Sequence, residues 1–154
     1  MKIEPVNTQI IKYIKENKVF TLATSFQNIP YSAICFYAYH MSENYFVFTS
    51  DKRTKHVSDF LIQPFVAGSI YKKQNTIASV KGLQFTGKII LDLSTAEKEN
   101  IEQLYHGVFP FTKKMKLSLW MLKPLYFKLT DNSLGFGKKI KWNSLDLNQP
   151  PPLK

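Results

Sequence analysis

Arginine is nearly missing from this chain: of its 21 basic residues only Arg53 is an arginine. Cysteine is as scarce. Cys35 stands alone, which excludes an intrachain disulfide, and it lies inside the apolar run AICFYAY, where a free thiol packs as a small hydrophobe. The three histidines, at 40, 56 and 106, show no C-x-x-C or H-x-x-x-H spacing, so no metal site is expected. No apolar run approaches the ~20 residues a membrane-spanning helix needs. The opening MKIEPVNTQI also lacks the apolar stretch of a signal peptide. These absences lead to the expectation of a cytoplasmic protein with no membrane partner.

What is present is apolar and aromatic. The 154 residues are 44% hydrophobic, with twelve Phe and eight Tyr, enough large side chains to offset the ordering entropy of one core. One domain is expected over residues 1–145, followed by a tail, 146–154, whose NQPPPLK has no means of packing and is expected to be disordered. The net charge of +10 invites a nucleic-acid reading, because a dense lysine patch binds phosphates by counterion release. The lysines are spread along the whole chain, however, and nucleic acid is not the favoured partner.

Periodicity predicts the elements. TQIIKYIKEN at 8–17 places Ile10, Ile11 and Ile14 on one helical face. Strands follow at about 19–25, at 31–40 and at 45–49, with MSEN as the hairpin turn between the last two. The run YSAICFYAYH is apolar on both alternating faces, which predicts a strand covered on both sides. A short helix is expected at 54–62, ended by Pro64, and a fourth strand at 65–71. In the fifth strand Leu83, Phe85, Ile89, Leu91 and Leu93 share one face with Gly87, opposite Gly82, Gln84, Thr86, Lys88 and Asp92. Ser94 and Glu97 have capping-box spacing and open a helix whose stripe is Ile101, Leu104 and Tyr105. The sixth strand, 118–131, is interrupted by Pro124. The fold class predicted is mainly β (α+β): a six-stranded, closed or nearly closed β-barrel decorated by short helices, closure removing the exposed sheet edges.

One segment poses an electrostatic question. In FTSDKRTKHVSDF, Lys52, Arg53, Lys55 and His56 crowd the start of the 54–62 helix, whose N-terminus is already electropositive. Free helix amides, the Thr54 hydroxyl and the Arg53 and Lys55 side chains converging on a bound phosphate would reverse the sign of that penalty. The alternative is a solvated basic loop. If the cluster holds a phosphate, replacing Arg53 and Lys55 by alanine should cost folding little, because without the ligand these cations sit against the helix dipole.

The run YFVFT, followed by Thr54-Lys55, a short helix and QPFVAGSI, resembles the flavin-phosphate segment of the pyridoxamine-phosphate-oxidase-like FMN-binding split barrels. The ending FKLTDNSLGFGKKIKW at 127–142 resembles that of the uncharacterised YhbP-like group in this superfamily, and VKGLQFTGKI at 80–89 is similar too. The resemblance implies a split barrel, FMN as cofactor and a homodimer with flavin at the interface. Carried over, it implies that Phe48 and Thr49 lie beside the flavin and that Arg53, Thr54 and Lys55 hold its phosphate. Ala33, Ile34 and Cys35 would present main-chain groups to the ring edge, and Gln84 would be the glutamine touching the ring.

This chain has no arginine after Arg53, unlike the true oxidases, so pyridoxamine phosphate is not the expected substrate. Lys138 and Lys139 are either anion contacts in place of those arginines or a solvated loop. His56 reads as solvated or capping. The leading function is an FMN-binding oxidoreductase of unnamed substrate, which needs no visible acid or base because the cofactor carries the chemistry. The alternatives are a non-catalytic basic barrel holding an anionic ligand or nucleic acid, and a barrel that has lost its flavin. The aromatics at 36, 37, 39, 46 and 48 read as core and so speak against base stacking.

Overall fold

The computed structural model describes residues 3–144. Seven antiparallel strands, β1 (Val19–Phe26), β2 (Ile29–His40), β3 (Tyr45–Thr49), β4 (Phe65–Tyr71), β5 (Lys81–Ile90), β6 (Leu119–Asp131) and β7 (Lys139–Asn143), run in the order β3-β2-β1-β4-β5-β6-β7. Strand β3 also pairs with β6, from Thr49↔Leu119 to Phe46↔Leu122, and this closes six strands into a barrel. The helices are α1 (Thr8–Glu16), α2 (Lys55–Ile62) and α3 (Thr95–Val108). The fold is mainly β, as predicted, with one strand more. Long β6 serves two partners on one edge: its first residues take β3, and 126–130 take β7. That division is the split in the barrel.

Alternation in β5 holds: Leu83, Phe85 and Ile89 are buried inward while Gln84, Thr86 and Lys88 face outward. The strand ends at Ile90, so Leu91 falls outside it and is exposed. Aromatic rings fill the interior. Phe46 stands 5.1 Å from Tyr37, 5.3 Å from Phe85 and 5.6 Å from Phe20, centroid to centroid. Gly68 on β4 makes room for them, since a Cβ there would lie 2.2 Å from Phe85 Cζ. Helix α1 closes one end with Ile10, Tyr13 and Ile14, whose backbone oxygen accepts from Tyr37 Oη at 2.7 Å. Helix α2 contributes Val57 and Phe60 to the same core. Helix α3, opened by the predicted capping box, lays Ile101 and Tyr105 on a separate cluster with Ala38, Val47 and Met121 on the outside of the barrel.

One expectation fails in part. Strand β2 is covered on both faces only over Tyr37–Tyr39; farther back Ile34 is 77% and Phe36 56% exposed. Helix α3 reaches only the later half of the outer face, through Tyr105 and through Phe109, whose ring stands 6.1 Å from that of Phe36. Phe36 is thus no core residue, while Tyr37, Tyr39, Phe46 and Phe48 are. Among the described residues no helix is long and apolar enough to cross a membrane. The expected tail at 146–154 lies outside the described residues.

Candidate functional site

The exit of β3 is pinned. Thr49 Oγ1 and Ser50 N both donate to Ser118 O, at 3.0 and 3.2 Å, and Trp120 Nε1 donates to Ser50 O at 2.9 Å. From there the chain turns on Asp51. Its Oδ1 accepts from Arg53 N (2.8 Å) and Arg53 Nε (3.0 Å), and its Oδ2 accepts from Nη2 (2.9 Å). Thr54 donates its N–H and its hydroxyl to Asp51 O, at 3.0 and 2.7 Å. Thr54 is the N-cap of α2, yet its hydroxyl is spent on Asp51, so it does not cap the first-turn amides of the helix.

The crowding of cations at this helix start has its counterweight in two carboxylates that the sequence reading overlooked. Besides Asp51, Asp59 binds Lys55 Nζ at 2.9 and 3.0 Å, and its Oδ2 accepts from Thr24 Oγ1 at 2.9 Å. The two pairs differ in kind. Arg53 is 90% and Asp51 51% exposed, whereas the Asp59 side chain is 4% exposed beside a Lys55 that is 47% exposed. The hydrogen bonds of Arg53 hold the Asp51 carboxyl down at about 2, and those of Lys55 and Thr24 lower that of Asp59 despite its burial. Lys55 also stands 5.1 Å over the Tyr31 ring. Replacing Lys55 by alanine would therefore strand a buried carboxylate, and the expectation that folding would hardly suffer is corrected.

His56 is likewise not a solvated residue. It is buried, with Nε2 2.7 Å from Ser50 Oγ and 3.5 Å from Thr54 Oγ1, and desolvation lowers its pKa against the pull of Asp59. Ser50 Oγ is in turn 3.7 Å from Cys35 Sγ, and burial pushes that thiol up. The cysteine is part of the core, as its apolar surroundings predicted.

The other wall of this region is an edge of β2. Strand β3 pairs with β2 only over 37–40, and among the described residues no strand runs beside 29–36 on that edge. Tyr37 N donates to Lys18 O at 2.8 Å, so by alternation the main-chain groups of Ala33 and Cys35 point at β1 and those of Ile34 and Phe36 at the open edge. Tyr105 Oη, donating to Phe36 O at 3.4 Å, reaches it from that side. Of the three expected main-chain contributors, Ile34 alone faces outward along the edge.

The structure thus gathers Ile34, Thr49, Arg53, Thr54 and Lys55 around one strand exit and one helix start. Two predicted residues stand apart. The Phe48 side chain is fully buried among Phe20 and Phe60. Gln84 lies on the outer face in a row running Ile34, Thr21, Ser69, Gln84, three strands from Ile34 and so roughly 14 Å away. Two surface hollows also lie elsewhere. One, of about 360 Å³, is lined by Tyr45, Glu97 and Met121, and one, of about 700 Å³, runs between Val6 and Trp142.

No family model matches the sequence. A UPF0306 protein of Yersinia pestis is 34% identical over 137 residues, spanning 89% of this chain and 92% of its own. Among solved structures, a pyridoxamine 5'-phosphate oxidase-related, FMN-binding protein of Nostoc punctiforme superposes with a TM-score of 0.68 at 13% identity, covering 96% of this chain and 95% of that one. A heme binding protein from Mycobacterium smegmatis gives 0.65 at 13% identity over 85% of this chain and 55% of that one; this chain spans about half that protein's length.

Proposed function

Since the chain belongs to the UPF0306 family and carries the split barrel of the pyridoxamine-phosphate-oxidase-like proteins, we propose that it is an FMN-binding oxidoreductase. The observation that carries this reading is the donor set at the strand exit. First-turn amides of α2 left uncapped by Thr54 stand beside an exposed guanidinium, next to an unpaired strand edge. Such amides favour a dianionic phosphate. In this reading Arg53 and the α2 amides hold the phosphate, and the main chain of Ile34 meets the ring edge. Bound FMN would supply the electron transfer. Lys55 tunes the site through its charge while staying on Asp59.

A second copy completes the site in this reading. The outer face of β2, β1 and β4 carries exposed Ile34, Val19 and Tyr71, with half-exposed Phe36 beside Phe109 at the end of α3, an apolar face of the kind that dimers bury. Gln84 is too far from Ile34 to share a ring within one chain, so it would reach the flavin of the other copy. A haem reading, which the mycobacterial neighbour invites, needs an axial ligand. His56, the histidine at the strand exit, is buried with its Nε2 2.7 Å from Ser50 Oγ, which favours flavin there.

The test is colour and selectivity. The purified protein should show flavin absorbance and release FMN on denaturation. Arg53→Ala should weaken FMN by about tenfold to a hundredfold, the worth of one charge-assisted contact, and leave riboflavin unchanged. Equal losses for the two ligands, or haem in place of flavin, would overturn the reading.

A further inference from the structure

The two cations of the strand exit are held in different ways, and the difference points to a device inside the proposed FMN site, on which this inference rests. Lys55 is committed. Its partner Asp59 is buried and also bound by Thr24, so pulling the ammonium away would leave an anion without compensation. Arg53 is not committed. Its partner Asp51 is half exposed, and both side chains stand clear of the core. The Asp51 carboxylate nevertheless engages the Arg53 donors that the phosphate of the proposed site would use. Its oxygens accept from the Arg53 amide, from Nε and from Nη2, the main-chain-plus-fork arrangement by which a loop binds an oxyanion.

We propose that Asp51 is an internal competitor: it occupies the Arg53 donors in the ligand-free chain and is displaced when a phosphate binds. A dianion brings more charge to the same donors than one carboxylate, and exchanging an exposed ion pair costs little, so the displacement is favourable. Asp51 then keeps the loop ordered without ligand and lowers phosphate affinity at the same time. It also keeps the site from holding weak monoanions, because only a ligand of higher charge recovers the lost pair.

The experiment compares wild type, Asp51→Asn, Arg53→Ala and the Asp51→Asn/Arg53→Ala double variant. FMN and riboflavin are titrated by fluorescence quenching, and inorganic phosphate by thermal shift. Asp51→Asn should bind FMN and inorganic phosphate about fivefold more tightly at low salt, with a smaller gain at high salt and none for riboflavin. The gain should vanish when Arg53 is also replaced. Weaker phosphate binding by Asp51→Asn would mean that the carboxylate positions Arg53 instead, and overturns the proposal. So would a gain that survives in the double variant, which would be a plain change of net charge, or a failure of every variant to bind either phosphate probe. Inorganic phosphate separates the two readings: if FMN does not bind but Asp51→Asn gains phosphate affinity through Arg53, the competitor stands and the flavin reading falls.

Discussion

Replacing Gly68 by alanine tests whether the barrel interior is as full as its ring contacts imply. A Cβ built on Gly68 lies 2.2 Å from Phe85 Cζ, 2.8 Å from Cε1 and 2.7 Å from the backbone oxygen of Thr21. Ordinary contact begins near 3.4 Å. The Phe85 ring would have to retreat by more than 1 Å or so, toward Phe46 at 5.3 Å and Phe127 at 6.4 Å, in a core packed at about crystal density. The Thr21 oxygen can yield only if β1 and β4 part, because Leu22 and Gly68 are register partners. Overpacking of this kind costs about 1–3 kcal/mol, with the backbone contact placing this site at the upper end. For a chain of this size each kcal/mol is worth about 2–4 °C, so a fall of roughly 5–12 °C in Tm is expected. Adding Phe85→Leu shortens the offending side chain, so it should cost less in the Gly68→Ala chain than in the wild type, with a coupling of about 0.5–3 kcal/mol. Differential scanning calorimetry on the four proteins decides. An unchanged Tm for Gly68→Ala, or strictly additive losses, would refute the packing argument.

Lys55→Ala should lower Tm by several degrees, and Asp59→Asn added to it should recover part of the loss by removing the stranded charge; independent losses would show that the pair is not coupled. Stability should fall as pH drops in two stages. His56 has a folded pKa below its ordinary ~6.5, so the unfolded chain binds its proton first and the stability His56 confers is lost as pH falls below that value. Asp51 and Asp59 have depressed folded pKa values, so their contribution is present above ~3.9 and is lost as pH falls from there toward those values. A Tm–pH profile should therefore show an upper descent that His56→Gln abolishes, and its survival in that variant would assign it elsewhere. If two copies pair through this face of β2, as proposed, Ile34→Lys should shift sedimentation from dimer to monomer and make Tm independent of protein concentration; a dimer that persists would move the interface off this face.

What was legible in the sequence is what is written in neighbouring residues. The period of two in 83–89, the capping box of Ser94 and Glu97, and the breaks at Pro64 and MSEN each depend on side chains a few positions apart, and each recurs in the structure. Strand β7 escaped because KIKWN is short and three of its five side chains are polar, so only pairing with β6 makes it a strand. The open edge of β2 depends on where β3 stops pairing, a tertiary matter. At the strand exit the phosphate-type cluster was visible as charge, while its partners were not weighed. Lys55 and Asp59 stand at i,i+4 on a helix, a spacing that signals an ion pair, and Asp51 is two residues before Arg53, as in an Asx-turn. Burial of Asp59 against Thr24, 35 residues away, had no such local mark.

The division of β6 between two neighbours also sets how the molecule comes apart. Because β3 closes the barrel on residues 119–122, β7 can detach from 126–130 without breaking any pairing of the six-stranded ring. Trp142 Nε1 donates to Glu4 O at 2.7 Å, so the segment before α1 is fastened to β7 and the two should open together. Native-state hydrogen exchange should then resolve two cooperative units: the amides of β7 exchanging early through a sub-global opening, and those between β5 and β6 only through complete unfolding.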